Sequence, residues 1–199
     1  GVLAPSSGRI ELDGADITGL APHLRVRRGL VRTFQINQLF AQLTPLQSVA
    51  LAAGEGRRLG ARFWRRMGAG REVLEESASI LERFRLAEVM NQPTKALPYG
   101  KRRLLEVAIA IACRPRVLLL DEPVAGVPDT ERAEILDTLA ALPADVTVLL
   151  IEHDMDLVFS FARRISVLVG GALYAEGSNA EIAADPRGRA VYLGVERHD

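Results

Sequence analysis

The chain has 199 residues, 48% hydrophobic and 25% charged, enough for a substantial core in one large or two small domains. Twenty-five basic and twenty-five acidic residues cancel, which excludes a global field that would draw in nucleic acid or an acidic membrane surface. The single cysteine excludes an internal disulfide framework and a multi-cysteine metal site, and no apolar run reaches the ~18 residues that span a bilayer, so a cytosolic protein is expected.

The opening Gly1 to Gly8 leads into Arg9 to Gly14, a short alternating strand with a turn signal after it, and reads as entry in mid-domain. A loop is expected around Pro22, with a basic patch at Arg25, Arg27 and Arg28. Leu30 to Gln35 then reads as a strand whose polar end, Gln35, is placed like a ligand-facing side chain. Val49 to Glu72 interleaves six arginines with Leu59, Phe63, Trp64 and Met67. Its glycines (54, 56, 60, 68 and 70) are expected to break any long element, giving a solvated, partly helical surface insert.

Val73, Leu74, Ile80, Leu81 and Phe84 predict a helix over 72–86 with one buried stripe, and Pro93 and Pro98 mark a loop after it. Gly100 to Cys113 is apolar on most sides and should be a largely buried helix, with Cys113 a core residue rather than a reactive thiol. Its first turn carries Lys101, Arg102 and Arg103. Cations there oppose the helix dipole, so the pattern predicts an anion at that terminus.

Val117 to Glu122 is an apolar run ending in an acidic pair before Pro123, and Val146 to Ile151 is a second one, ending in Glu152-His153-Asp154. Such runs fit strands buried on both faces of a parallel sheet, whose ligands gather beyond the carboxyl ends of the strands. Asp121, Glu122 and His153 are therefore expected to point at one place. One carboxylate would hold a hard cation such as Mg²⁺ and the other would take a proton from an attacking water, which is metal-assisted phosphoryl transfer. Between and after these strands, helices are expected over 131–142 and 155–164. A hairpin is expected around Gly170-Gly171, and the tail around Asp185 to Gly194 reads as helix plus extension.

Gln35, Leu97-Pro98-Tyr99-Gly100-Lys101, Val117 to Glu122 and His153, in that order, resemble the nucleotide-binding subunit of ATP-binding cassette (ABC) transporters over essentially the whole chain. The resemblance implies an α/β fold of the P-loop NTPase-like cassette type. It would have a mostly parallel core sheet, a helical subdomain over about 45–115, a small antiparallel β part and a C-terminal tail over 178–199. It implies ATP and Mg²⁺ as ligands, with Gln35 and Asp121 on the metal. Glu122 would act as the catalytic base and His153 as a hydrogen-bond donor to the γ-phosphate. Pro98, Tyr99, Gly100 and Lys101 would form the signature loop, and Ala125 to Asp129 the loop that crosses to a second subunit. The implied partners are a second ATPase subunit, identical or not, and membrane permease subunits that hold the protein on the inner face of the plasma membrane; nucleic acid is not among them. Arg32-Thr33-Phe34-Gln35, Ile151 to Met155 and Val191 to Gly194 are similar to branched-chain amino acid importers, with lipopolysaccharide-export ATPases second.

Three departures stand out. No G-x-x-x-x-G-K-[ST] phosphate loop occurs, and the only lysines, Lys95 and Lys101, lie in no glycine-rich turn between strand and helix. The 199 residues are therefore expected to lack the first strands of the cassette, to bind ATP weakly and to hydrolyse it negligibly, and to behave as an interaction module if that loss is real. The signature loop has Pro98 where the family has serine and Lys101 where it has glutamine, so a hydroxyl contact is lost and a charge gained. In the crossing loop, Pro128-Asp129 replaces the usual order of a polar residue first, which bears on communication between subunits.

Overall fold

The computed structural model describes residues 3–33, 39–57 and 67–185, which divide into two compact units, Gly1–Leu149 and Leu150–Asp199. Gln35, the insert residues 58–66 and the tail from 186 onward lie outside the described residues.

The first unit begins with a hairpin, β1 (Glu11–Leu12) and β2 (Ala15–Asp16), in antiparallel register Glu11↔Asp16. Asp13 (φ 50°) and Gly14 (φ 74°) both turn left-handed, as an Asp-Gly two-residue hairpin loop requires. The loop expected at Pro22 is instead a helix, α1 (Pro22–Arg27), because proline at the first helical position gives up no hydrogen bond and arrives with its φ already set. Arg25 is drawn inward from the basic patch, donating to Thr18 O at 2.8 Å and Leu20 O at 2.9 Å.

Three strands form the sheet, in the order β3 (Leu30–Arg32), β4 (Val117–Asp121), β5 (Thr147–Ile151). β3 and β4 are parallel, pairing Leu30 with Val117 and Arg32 with Leu119. Leu118 and Leu120 of β4 are fully buried, as are Ile135 and Leu139 of α5 (Asp129–Ala140). β5 departs from the strand expected to be buried on both faces. Its side chains alternate, with Val148 and Leu150 half-covered and Leu149 and Ile151 about half exposed (51% and 50%). Among the described residues no element covers that second face, and the aliphatic run alone carries no information about which layers pack on it.

α2 (Pro45–Gly56), α3 (Met67–Arg83) and α4 (Tyr99–Ala112) pack on one another. A capping box starts α2: Thr44 accepts from Gln47 N, and the Gln47 side chain accepts from Thr44 N. Of the glycines expected to break this region, Gly56 is the last residue of α2 and Gly60 lies outside the described residues, whereas the other three lie within helices. Gly54 is buried inside α2, and Gly68 and Gly70 lie inside α3. At Gly56 a Cβ would come within 2.9 Å of Ala112 O, so this glycine lets the end of α2 rest on the end of α4. Arg57 and Arg114 both bind Glu76 (2.7 and 2.8 Å), which ties the ends of α2 and α4 to the middle of α3.

In the second unit, α6 (Met155–Phe161) is capped by Asp154, whose carboxylate accepts from Leu157 N at 3.2 Å. β6 (Ile165–Val169) and β7 (Ala172–Gly177) form the expected hairpin, turning on Gly170 (φ 56°) and Gly171 (φ 81°). α7 (Asn179–Ala184) follows, its capping box made by Ser178 and Glu181. Ile165, Val167, Ala175 and Ile182 form a small core here, with Val158, Phe159 and Ala162 packed against it.

Candidate active site

β4 delivers Asp121 at its carboxyl end, where parallel pairing with β3 places Arg32 beside it: Arg32 Nη2 lies 2.6 Å from Asp121 Oδ2. The carboxylate is only 20% exposed, so this charged pair fixes its orientation at the strand tip. The next residue, Glu122, leaves the strand with φ 46°. A non-glycine residue in this region costs roughly 1–2 kcal/mol, and such strain concentrates at sites where a side chain must be aimed. The turn closes with Ala125 N donating to Glu122 O at 3.1 Å and Val127 N to Val124 O at 3.1 Å. Pro123 and Val124 are buried beneath it.

The first turn of α4 stands against this turn. Tyr99 Oη donates to Ala125 O at 3.2 Å, and Gly126 (φ 70°) faces the Tyr99 ring. Arg102 and Arg103 lie over the same ring at 5.9 and 5.4 Å from its centroid. Pro98 is the N-cap of α4 and supplies no side-chain acceptor, while its carbonyl accepts from Arg102 N at 3.0 Å. The anion expected at this terminus is a carboxylate of the chain itself: Gly100 N donates to Glu131 Oε2 at 3.1 Å. The cations in that turn are also engaged. Lys101 Nζ sits 2.7 Å from Glu134 Oε1 and donates to Arg85 O at 3.1 Å, and the buried Arg103 pairs with Glu106 at 3.0 Å. Lys101 thus joins α4 to α5 rather than standing free for a phosphate. Glu131 and Glu134 were not singled out by sequence reasoning, and nothing local could have found them, because their partners are 31 and 33 residues away.

His153 belongs to the second unit, just before the N-cap of α6. Its side chain is 79% exposed, and its backbone N–H donates to Glu152 Oε2 at 3.3 Å. Glu152 is the unforeseen residue in this unit, a carboxylate with only 2% of its side chain accessible. Cys113, expected as a core residue, is half-buried at the C-cap of α4, and partial burial, with Glu55 nearby, pushes its thiol above the usual range.

No three His, Cys, Asp or Glu side chains among the described residues gather closely enough to enclose a metal ion. Mg²⁺ does not require such a cage; it is commonly held by one or two carboxylates together with substrate phosphates and waters, and Asp121 at a strand end fits that donor set.

A parallel sheet with an Asp-Glu pair at the end of a strand is a framework whose ligands gather beyond the strand ends. The ABC transporter family model matches residues 1–125. The crystal structure of the ADP conformation of an ATP-binding cassette of an ABC transporter superposes with a TM-score of 0.78 at 29% identity, covering 98% of this chain and 80% of that one. The chain belongs to the ABC transporter family, as one of its ATPase cassettes. Within the family it is similar to the high-affinity branched-chain amino acid transport ATP-binding protein BraF of Pseudomonas aeruginosa, with 39% identity over 205 residues, 98% of this chain and 79% of the relative. LivG of Salmonella typhimurium, described in the same words, is 36% identical over 203 residues with the same coverage.

Proposed function

We propose that this protein is the ATP-hydrolysing subunit that energises an importer of branched-chain amino acids. The observation that carries the reading is the strained Glu122 beside the oriented Asp121 at the end of β4, in a chain 39% identical to a branched-chain amino acid transport ATP-binding protein. Two copies, or this chain and a similar one, would work as a pair docked on permease subunits at the inner face of the membrane. No helix among the described residues is long and apolar enough to cross the bilayer, which suits attachment through such partners.

In this mechanism Glu122 accepts the proton of the attacking water as the water oxygen bonds to the γ-phosphorus and the bond to the leaving ADP oxygen breaks. Asp121 and Gln35 would hold Mg²⁺, which when bound would neutralise charge on the phosphate oxygens. His153 would donate a hydrogen bond to the γ-phosphate, from a side chain that is 79% exposed. Gly100, flanked by Pro98, Tyr99 and Lys101, offers its N–H to the nucleotide carried by the other subunit. Pro98 brings neither hydroxyl nor amide hydrogen to that contact, so the backbone of Gly100 carries it.

Glu122→Gln tests the assignment. It keeps the shape and loses the base, so ATP turnover by the intact subunit in its transporter should fall by roughly 10²–10⁴-fold while nucleotide binding persists. Turnover at the unsubstituted rate removes Glu122 from the chemistry.

A further inference from the structure

Glu131 occupies the donor that the proposed function assigns to a phosphate. Its Oε2 accepts the Gly100 N–H at 3.1 Å, and a Cβ added at Gly100 would collide with that carboxylate, so the absence of a side chain there is what admits it. Glu134, one turn further along α5 and on the same face, holds Lys101 at 2.7 Å. Tyr99 Oη on Ala125 O completes the junction between the start of α4 and the chain leading into α5. Glu131 lies at the base of α5, where Pro128 O accepts its backbone N–H at 2.9 Å, so its carboxylate is presented by a rigid helical turn.

We propose that Glu131 is a positioning residue that stands in for the nucleotide phosphate and is displaced by it. In the lone subunit its carboxylate satisfies the Gly100 amide and holds the first turn of α4 in the shape that receives an anion. Pairing of two subunits brings the γ-phosphate of the partner's nucleotide to the same donor. One N–H cannot serve two anions at full strength, and two anions on one donor repel, so arrival of the phosphate requires Glu131 to turn away. Exchange replaces addition, and the contact that preorganises the loop also weakens closure of the pair. This rests on the reading of Gly100 as a donor to the partner's nucleotide. A charge-assisted hydrogen bond sets the scale of the competition at about tenfold in affinity.

The test uses the intact subunit with Glu122→Gln throughout, so that ATP is retained, and compares Glu131, Glu131→Gln and Glu131→Ala. Two quantities are read: hydrogen exchange of the Gly100 segment without nucleotide, and the ATP-dependent self-association constant by sedimentation equilibrium. With Glu131→Ala, exchange at Gly100 should quicken about tenfold while ATP-driven association tightens about tenfold, and Glu131→Gln should fall between. A simple structural bracket predicts the opposite sign for association. Quicker exchange with weaker association overturns the displacement while leaving the dimer reading intact, and unchanged exchange overturns the contact itself. If ATP drives no association in any of the three forms, the reading of paired subunits falls and this proposal falls with it.

Discussion

Gly126 shows how much of the site depends on single backbone positions. Its φ of 70° lies where L side chains are strained, and an added Cβ would lie 3.6 Å from the Tyr99 hydroxyl, in ordinary contact. Strain rather than collision therefore decides the outcome of Gly126→Ala. We expect a loss of about 1 kcal/mol in urea unfolding, the αL penalty partly offset by the smaller entropy of the unfolded alanine chain; no change in the midpoint would show that the turn relaxes. At this scale the legible residues were those whose meaning is local. Asp121 and Glu122 follow an aliphatic run and precede a proline, so their strand-end position could be read directly, although neither the Arg32 pairing nor the left-handed Glu122 backbone could. Three cations in one helical turn pointed to a bound anion near Gly100, whereas Lys101 and Arg103 pair with Glu134 and Glu106 of the chain itself. Glu131 on the Gly100 amide was not legible, because it reaches that amide only through the packing of α5 on α4.

Helices α2, α3 and α4 are joined by charge as well as by apolar contact. Glu76 receives Arg57 from the end of α2 and Arg114 from just beyond α4, at 2.7 and 2.8 Å, with its side chain only 24% accessible. Burial pushes its carboxyl upward, but hydrogen bonds from Arg114 and Arg57 outweigh that and hold it below the usual range. A depressed carboxylate contributes stability that is fully present above its unfolded value, about 4.3, and is lost as pH falls through the lower folded value. Glu76→Gln should therefore destabilise the chain by about 1–2 kcal/mol at pH 7, and the gap between the two proteins should close as pH falls below about 4. Thermal melts at pH 7 and pH 3.5 check this; an equal gap at both would assign the effect to packing. Element by element, helices and strands with clear periodicity were legible within a few residues, whereas glycine and proline misled. Gly54 sits buried inside α2, where packing outweighs a propensity penalty of about 1 kcal/mol, and Gly68 and Gly70 lie in the first turn of α3. Pro22 starts a helix because proline disrupts only positions whose N–H is needed.

For the whole molecule, family and fold class were legible because four short motifs occur in order along nearly its entire length, each in a strand, loop or helix context that agrees with the others. Exposure along β5 was not, since burial of a face depends on layers that a strand's own residues do not encode. The same view gives a prediction about nucleotide. Grip on a triphosphate in these cassettes draws on successive backbone N–H groups and a lysine at the β- and γ-phosphates, and the 199 residues contain no glycine-rich turn with a lysine between a strand and a helix. Lys101, one of only two lysines, is committed to Glu134 and Arg85 O. The groups proposed to act on phosphates and water, Asp121, Glu122 and His153, would contribute little to holding them. Equilibrium dialysis of the 199-residue polypeptide against ATP and Mg²⁺ should give a dissociation constant weaker than about 1 mM, near the 4 kcal/mol that a few isolated contacts supply. Its turnover should lie far under the ~1–100 s⁻¹ typical of phosphoryl-transfer kinases. Micromolar binding would mean that other residues cradle the phosphates, and the arginines of the 57–71 segment would then be the first to substitute.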